Sequence, residues 1–336
     1  MTVAKRVGLE PGCDYVTIQS AVDALEREGL REKPAALYIL SGTYREQVRI
    51  YRSNLRMVGI GAVTIVMNRC ARERGADGEE IGTFATPTLF LGGADLELEN
   101  LTIVNDAGQG ESIGQAVALA AHCDRAVFRN CILRGHQDTL FTGPLPPSTK
   151  TGGAFGGIPI REHHAQYRQL YDRCRIEGTV DYIFGGATTV FDRCRLHSVV
   201  PDRKRSGYIT AASTPQEREY GYVFRSCDLT ADPGVPAASV YLGRPWRPYA
   251  QTCLIDCRIG DHIHPAGWHN WNNADNERTA DYREYGQEAA KHSADRAAWT
   301  LCQTEIPKGW DNASIFGEDW NPDKIKARSE GAEREV

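Results

Sequence analysis

The sequence predicts an all-β solenoid, a domain built from stacked coils of short strands. Three observations indicate it: a degenerate repeat, irregular loops between its copies, and few long amphipathic helices before about residue 280. In each copy, alternation puts an aromatic or apolar residue, a cysteine and a last apolar residue on one face, with polar residues between them. Such repeats are typical of solenoids. The copies are residues 127–133, 170–176, 190–196, 223–229 and 254–259.

A short helix is predicted near the N-terminus, where it would cap the first coil. Thr17 is a suitable N-cap and Gly29 a suitable stop. The apolar positions follow the helical i, i+3, i+4, i+7 spacing. They are Ile18, Ala21, Val22 and Leu25.

The repeat places one cysteine in each coil. The chain has 10 cysteines, and none forms a CxxC pair. Free cysteine is among the most buried residue types, and a small apolar side chain suits a narrow interior. We therefore expect an interior ladder of free thiols rather than a metal or redox centre. Its members are Cys131, Cys174, Cys194, Cys227 and Cys257.

Coils of this kind bury their inner faces only against their neighbours, so residues 1–320 are predicted to form one domain. Residues 142–165 are rich in proline and glycine and lack periodicity, which indicates a long surface loop inserted into it. Residues 321–336 are polar and highly charged, and we expect a flexible tail there.

The net charge and the distribution of apolar residues restrict the classes of binding partner. The formal net charge of the 336-residue chain is −5, which disfavours nucleic acid because its binding needs basic patches. No run of 18 apolar residues is present, so we expect no membrane span. The first residues lack the apolar core of a secretory signal. We expect a cytoplasmic monomer, or a secreted protein if a leader has been removed.

Five segments combine glycine with polar residues in a way that a plain solenoid does not require. In this order they resemble the pectin methylesterase family, and the likeness runs from about residue 12 to residue 300. It implies a single-stranded right-handed parallel β-helix of the pectin-lyase-like superfamily. It also implies hydrolysis of the C6 methyl ester of galacturonate units, with release of methanol. The segments are residues 42–46, 114–119, 135–140, 178–185 and 242–246, supported by 14–22 and 265–271.

The resemblance assigns catalytic roles to individual positions. Asp181 corresponds to the nucleophile of the family and Asp138 to its general acid and base. Gln115 and Gln137 correspond to the glutamines that hold the oxyanion, and Arg244 to the arginine that orients the nucleophile. The family uses no metal or organic cofactor, so none is expected here.

Aromatic side chains are expected to bind the sugar. Trp246 corresponds to the tryptophan that stacks on substrate. Phe84, Phe184, Tyr241 and Trp268 are candidates for lining the cleft, with core packing as an open alternative for each. The expected partners are methyl-esterified homogalacturonan or short oligogalacturonates, the latter favoured by the inserted loop.

The chemistry explains these residue types independently. An ionised carboxylate can attack an activated ester without a separate base, and an adjacent guanidinium would direct it and keep its pKa low. The departing methoxide needs a proton, so the second carboxyl must begin protonated. The charge on the tetrahedral oxygen needs fixed donors, which glutamine amides provide.

Three alternatives remain open from the sequence. Residues 110–114 fit the G-x-S-x-G pattern of a nucleophile elbow, with Ser112 as the attacking group. A polysaccharide lyase or glycosidase could use the same scaffold, since fold does not fix function. A pectin-binding protein with an inactive site is the third.

Overall fold

The computed structural model describes residues 2–27, 33–203 and 205–325. These ranges contain twenty-four strands, most of them short. In chain order the strands are β1 (Val3–Val7), β2 (Ala35–Arg45), β3 (Val48–Ile50), β4 (Leu55–Met67), β5 (Leu89–Leu91), β6 (Ala94–Glu99), β7 (Thr102–Asn105), β8 (Leu119–Ala121), β9 (Asp124–Arg129), β10 (Ile132–Arg134), β11 (Leu140–Thr142), β12 (Arg168–Asp172), β13 (Arg175–Gly178), β14 (Ile183–Gly185), β15 (Thr188–Asp192), β16 (Arg195–Ser198), β17 (Gly207–Ala212), β18 (Tyr222–Arg225), β19 (Asp228–Ala231), β20 (Val240–Gly243), β21 (Gln251–Ile255), β22 (Arg258–Ile259), β23 (Asp281–Tyr285) and β24 (Leu301–Gln303).

Helices are few and short in these ranges. They are α1 (Ile18–Arg27), α2 (Asn276–Thr279), α3 (Gln287–His292) and α4 (Asn312–Phe316), with one 3-10 turn at Thr83–Ala85. Among the described residues, no helix has the length and apolar character needed to cross a bilayer.

The strands form three stacks in which all pairings between named strands are parallel. The first stack runs β1, β2, β4, β6, β9, β12, β15, β18, β21, β23, β24. The second stack begins with the C-terminal halves of β2 and β4. It continues through β7, β10, β13, β16, β19 and β22. The third runs β3, β5, β8, β11, β14, β17, β20. The chain visits the stacks in turn, which makes a right-handed parallel β-helix and confirms the predicted fold class.

A single residue in the left-handed region turns the chain between the first and second stacks. This conformation bends the chain sharply within one residue, and asparagine and aspartate tolerate it best among side-chain-bearing residues. Because the turn is so short, the residue that follows it points back into the interior. The turn residues are Asn100, Asn130, Arg173, Arg193, Ser226 and Asp256.

The predicted cysteine ladder is confirmed, because each of its cysteines follows one of these turns and is buried as a free thiol. The thiol of Cys194 donates to the carbonyl of Tyr171 in the preceding coil at 3.3 Å. That of Cys227 donates to the carbonyl of Phe191, also at 3.3 Å. The ladder therefore adds weak hydrogen bonds between successive coils to its packing.

An aromatic stack lies beside the cysteines. The rings of Phe128 and Tyr171 are 4.3 Å apart and nearly parallel. Tyr171 and Phe191 are 4.9 Å apart, and Phe191 and Phe224 are 4.5 Å apart. The parallel register puts these residues directly opposite one another, so a repeat in the sequence becomes a continuous column of buried rings.

Helix α1 closes the N-terminal end of the solenoid, as predicted. Its predicted apolar face is buried in the main core. Thr17 is its N-cap, since its hydroxyl accepts from the amide of Ser20 at 3.2 Å. The carboxylate of Glu46 accepts from the first two helical amides at 2.8 and 2.9 Å, which satisfies donors that a helix start leaves unpaired. The predicted stop, Gly29, lies outside the described residues.

The inserted loop lies between β11 and β12 and packs on the outer face of the third stack. Ile158 is buried there, and its amide donates to the carbonyl of Phe84 at 2.9 Å. The hydroxyl of Tyr51 donates to the carbonyl of Pro159 at 3.0 Å. The C-terminal half of the loop is thus anchored to the solenoid. The predicted flexible tail lies outside the described residues from 326 onward.

Replacing Phe191 by alanine should destabilise the protein by about 3–5 kcal/mol, because it opens a cavity in the middle of the aromatic column. Thermal unfolding followed by circular dichroism measures the effect. Leu9→Ala is the control, since Leu9 is 77% exposed and its loss should cost within ~0.5 kcal/mol. Equal unfolding midpoints for the two variants would contradict a stabilising role for the column.

Candidate active site

Asp138 and Asp181 occupy equivalent turns in neighbouring coils. Each lies between a strand of the second stack and a strand of the third, and the register pairs Leu140 with Ile183. The amide of Asp138 donates to the carbonyl of Val180 at 3.1 Å, which ties the two turns together. Stacking of coils therefore brings together two carboxyl groups that are far apart in the chain.

Both aspartates adopt left-handed backbone conformations, with φ of 66° at Asp138 and 48° at Asp181. Such conformations are strained for most residues and are concentrated at functional sites. Gly178 permits the tight second turn, because a Cβ there would lie 2.2 Å from the Cβ of Tyr182. The glycine of this motif is thus required by its backbone, and aspartate is among the residues that tolerate the left-handed position beside it.

Arg244 holds Asp181 through a bidentate ion pair. Its Nε donates to one carboxylate oxygen at 2.9 Å and its terminal nitrogen to the other at 2.6 Å. The guanidinium lies between two aromatic rings, 3.8 Å from the centroid of Tyr208 and 3.8 Å from that of Trp271. This stacking fixes the plane of the guanidinium and hence the direction of the carboxylate.

Burial raises the pKa of both carboxyl groups, and the pairing of Arg244 with Asp181 makes the two pKa values unequal. Burial raises the pKa of Asp138 well above its usual range; the charge of Asp181 raises it further, and Arg244 lowers it. The pKa of Asp181 is also raised by burial, but Arg244 opposes this with its charge and its hydrogen bonds. The expectation that the guanidinium keeps this pKa low was wrong in net direction, because desolvation outweighs it. The smaller shift still leaves Asp181 the more acidic group.

The site opens into a cleft of about 530 Å³. The structure brings together the predicted catalytic residues and part of the predicted aromatic set along its walls. The lining residues that the sequence singled out are Gln115, Gln137, Asp138, Asp181, Arg244, Trp246, Phe84 and Phe184.

The aromatic wall of the cleft continues a cluster on the outer face of the third stack. Phe184 lies 5.7 Å from Trp246 and 6.2 Å from Phe84, measured between ring centroids. The three rings form an apolar surface next to the carboxyl groups. Such a surface can pack against the face of a sugar ring.

Two predicted cleft residues lie elsewhere. Trp268 is only 2% exposed, its indole donates to Glu284 at 2.9 Å, and its ring packs against Tyr282. Tyr241 is half-buried, does not line the cleft and stacks on Tyr208 at 5.4 Å, so it supports the arginine clamp indirectly. The prediction of Trp268 as a substrate contact was wrong, because its side chain is buried in the core, whereas a substrate contact of Tyr241 stays a prediction.

Sequence reasoning missed Tyr208, Trp271 and Phe155. Trp271 lies in the motif at residues 265–271, where the sequence predicted Trp268 as the cleft residue. Both tryptophans belong to the same motif, and only their surroundings in the structure separate their roles: Trp268 is buried, whereas Trp271 stacks on Arg244. For Tyr208 and Phe155, the sequence offered no motif.

The nucleophile elbow is also excluded. Ser112 is exposed in a turn that neither follows a strand directly nor leads into a helix, since the next regular element is β8. It does not line the cleft. The G-x-S-x-G match is a coincidence of loop composition.

Comparisons with known proteins identify the family of this chain. A family model described as pectinesterase matches residues 4–144 and 162–314. Pectinesterase 31 of Arabidopsis thaliana is 32% identical over 88% of this chain and 86% of its own length. A pectinesterase of Petunia integrifolia is 31% identical over 84% and 71%.

Solved structures show the same likeness. A pectin methylesterase from carrot superposes with a TM-score of 0.78 at 27% identity, covering 96% of this chain and 95% of that one. Pectin methylesterase PemA from Erwinia chrysanthemi gives 0.73 at 26% identity, covering 96% and 99%. The family match leaves out residues 145–161, which lie inside the inserted loop.

Replacing Arg244 by glutamine should raise the pKa of Asp181 further, because it removes the main group that opposes desolvation. Carbon-13 NMR titration of the labelled aspartate carboxyls measures this pKa. Arg258→Gln is the matched control, since it removes a bidentate pair with Asp228 on the exposed surface. An unchanged or lower pKa in Arg244→Gln would contradict the electrostatic role of the clamp.

Proposed function

The chain belongs to the pectinesterase family and is a carboxylic ester hydrolase, and we propose that Asp181 is its nucleophile and Asp138 its general acid and base. The reaction is hydrolysis of the C6 methyl ester of galacturonate units, with release of methanol. One observation carries the assignment of roles: two buried carboxyl groups with unequal pKa shifts face one cleft, and only Asp181 is held by an arginine.

The first half-reaction forms an acyl-enzyme. A carboxylate oxygen of Asp181 attacks the ester carbon, and Arg244 aims it through the bidentate pair. Negative charge develops on the carbonyl oxygen of the substrate. The amides of Gln115 and Gln137, which line the cleft beside Asp138, donate to this oxygen.

Proton transfers through Asp138 complete both half-reactions. Protonated Asp138 gives its proton to the departing methoxide, so methanol leaves as a neutral molecule. The resulting carboxylate then takes a proton from the water that attacks the acyl-enzyme. The second tetrahedral intermediate collapses, the galacturonate carboxyl group is released, and Asp181 is free again.

The substrate is a methyl-esterified galacturonan, either polymer or oligomer. One similar solved structure, at 25% identity, is a pectin methylesterase in complex with a hexasaccharide. The inserted loop adds Phe155 to the cleft, where its ring lies 5.3 Å from Phe84 and 6.1 Å from Trp246. Because this ring narrows the space above the aromatic wall, we propose short oligogalacturonates as the preferred substrates.

The complete residue set supports an active enzyme rather than a binding protein. Asp181→Ala should reduce methanol release by about 10⁴-fold or more, because it removes the nucleophile, while oligosaccharide binding persists. The assay compares methylated oligomers with long pectin and records chain length as well as methanol. Ser112→Ala should retain full activity.

Two outcomes would contradict this proposal. Methanol release that survives in Asp181→Ala would exclude this nucleophile. Chain shortening without methanol release would indicate a lyase or glycosidase instead.

The pH dependence tests Asp138 separately. Turnover needs Asp181 ionised and Asp138 protonated, so the rate should rise through the pKa of Asp181 and fall through the higher pKa of Asp138. Asp138→Asn should lower kcat by about 10²–10⁴-fold and remove the alkaline fall. The pH–rate profile of Asp106→Asn, an exposed control, should match the unaltered enzyme. An alkaline fall that persists in Asp138→Asn would assign that step to another group.

A further inference from the structure

A buried ion pair lies near the C-terminal end of the solenoid. Glu284 belongs to β23, and Arg296 follows α3. The Nε and Nη2 atoms of the guanidinium donate to the two carboxylate oxygens at 2.8 and 3.0 Å. Both side chains are buried, and neither lines the catalytic cleft. The steps of ester hydrolysis given above assign no role to this pair.

Such a pair is weak evidence for a role in stability. Taking two charges out of water is costly, and apolar residues of similar volume often replace a buried ion pair without loss of stability. In some proteins a buried polar group instead selects one arrangement of the chain around it. The groups that this pair holds show which arrangement it selects.

Both members of the pair hold residues 265–271, here named the tryptophan segment. The indole of Trp268 donates to the carboxylate of Glu284 at 2.9 Å. The Nη1 atom of Arg296 donates to the carbonyl of Pro265, also at 2.9 Å. The first four residues of the segment are therefore anchored in the core.

The other end of the tryptophan segment reaches the reaction centre. The ring centroid of Trp271 lies 3.8 Å from the guanidinium carbon of Arg244, which holds Asp181. The Nδ1 atom of His269 accepts from the amide of Trp271 at 3.0 Å, so a hydrogen-bonded turn joins the two tryptophans. The segment thus connects Trp268 in the core to the clamp on the carboxylate.

The backbone contact of the segment with β20 is short. The amide of His269 donates to the carbonyl of Gly243 at 3.1 Å, beside an isolated bridge between Gly243 and Trp268. A slip of one residue in such a pairing would exchange the faces that the side chains occupy. The bond from Trp268 to Glu284 favours the register in which this indole faces the core.

We propose, on the basis of the proposed function, that Glu284 and Arg296 are positioning residues for ester hydrolysis. They hold the tryptophan segment so that Trp271 stacks on Arg244, and this stacking aims the guanidinium at Asp181. The pair acts through the indole of Trp271 and does not touch the substrate. Its loss leaves the solenoid folded and loosens the clamp.

The test replaces both members by leucine, so that neither charge is left unpaired in the core. In Glu284→Leu/Arg296→Leu, the pKa of Asp181 should rise, because a loosely held guanidinium opposes desolvation less well. Turnover needs the ionised carboxylate, so the acidic limb of the pH–rate profile should move to higher pH. The value of kcat should fall by roughly 10-fold to 100-fold, the cost of misplacing reacting groups by about 1 Å. Carbon-13 titration of labelled aspartate carboxyls measures the pKa independently of activity.

Asp124→Leu/Arg168→Leu is the matched control. This pair is also buried, with hydrogen bonds of 3.0 and 2.9 Å between guanidinium and carboxylate. Its arginine donates to the carbonyl of Phe316 at 2.9 Å instead of holding the tryptophan segment. Whatever its effect on the unfolding temperature, this variant should leave the acidic limb and the pKa of Asp181 unchanged.

A double-mutant cycle separates positioning from general loosening of the structure. Trp271→Leu should raise the pKa of Asp181 by itself. Adding Glu284→Leu/Arg296→Leu to it should raise that pKa no further, because the pair acts through the same indole. Additive shifts would overturn the inference.

Trp268→Phe tests the same anchor without depending on the folding of the double variant. It keeps an aromatic ring in the core and removes the N–H donor, so it should move the acidic limb in the same direction by a smaller amount. An unchanged pKa of Asp181 in this variant and in the double variant would overturn the inference and leave the esterase assignment intact. Absence of methanol release by the unaltered enzyme would instead overturn the proposed function.

Discussion

The bidentate ion pair between Arg244 and Asp181 is the interaction on which the cleft depends. A carboxylate with little solvent exposure is costly to ionise, and here burial does raise its pKa. The guanidinium offsets part of that cost and fixes both oxygens in one plane. Tyr208 and Trp271 stack against the guanidinium, so this aromatic clamp sets the direction of the Asp181 carboxylate.

The clamp can form only because the coils are stacked in register. Asp138, Asp181 and Arg244 come from three different coils, and each follows or precedes a strand of the third stack. The interior column of rings and the cysteine ladder fix the spacing between coils. Packing inside the solenoid thus determines distances on its surface. The left-handed turns at both aspartates are the strained elements that this packing supports.

The inserted loop changes the cleft without changing its chemistry. It is anchored by Ile158 against the third stack, and from there it carries Phe155 over the aromatic wall. Asp138, Asp181 and Arg244 lie in segments that the family match includes, whereas residues 145–161 of the loop lie outside it. A change in the loop can therefore alter one wall of the cleft, while the two carboxyl groups and their arginine belong to the coils.

The sequence alone determined the repeat, the interior cysteines and the candidate catalytic set, whose members line one cleft. These features are local: Cys194 follows a one-residue turn, and Asp181 belongs to a glycine-containing motif. Only the tertiary structure decided that Trp268 is buried while Trp271 clamps Arg244, although the two tryptophans are three residues apart. It also decided that the pKa of Asp181 is raised rather than lowered. Both outcomes depend on which groups surround a side chain in space, and that follows from the stacking of distant coils.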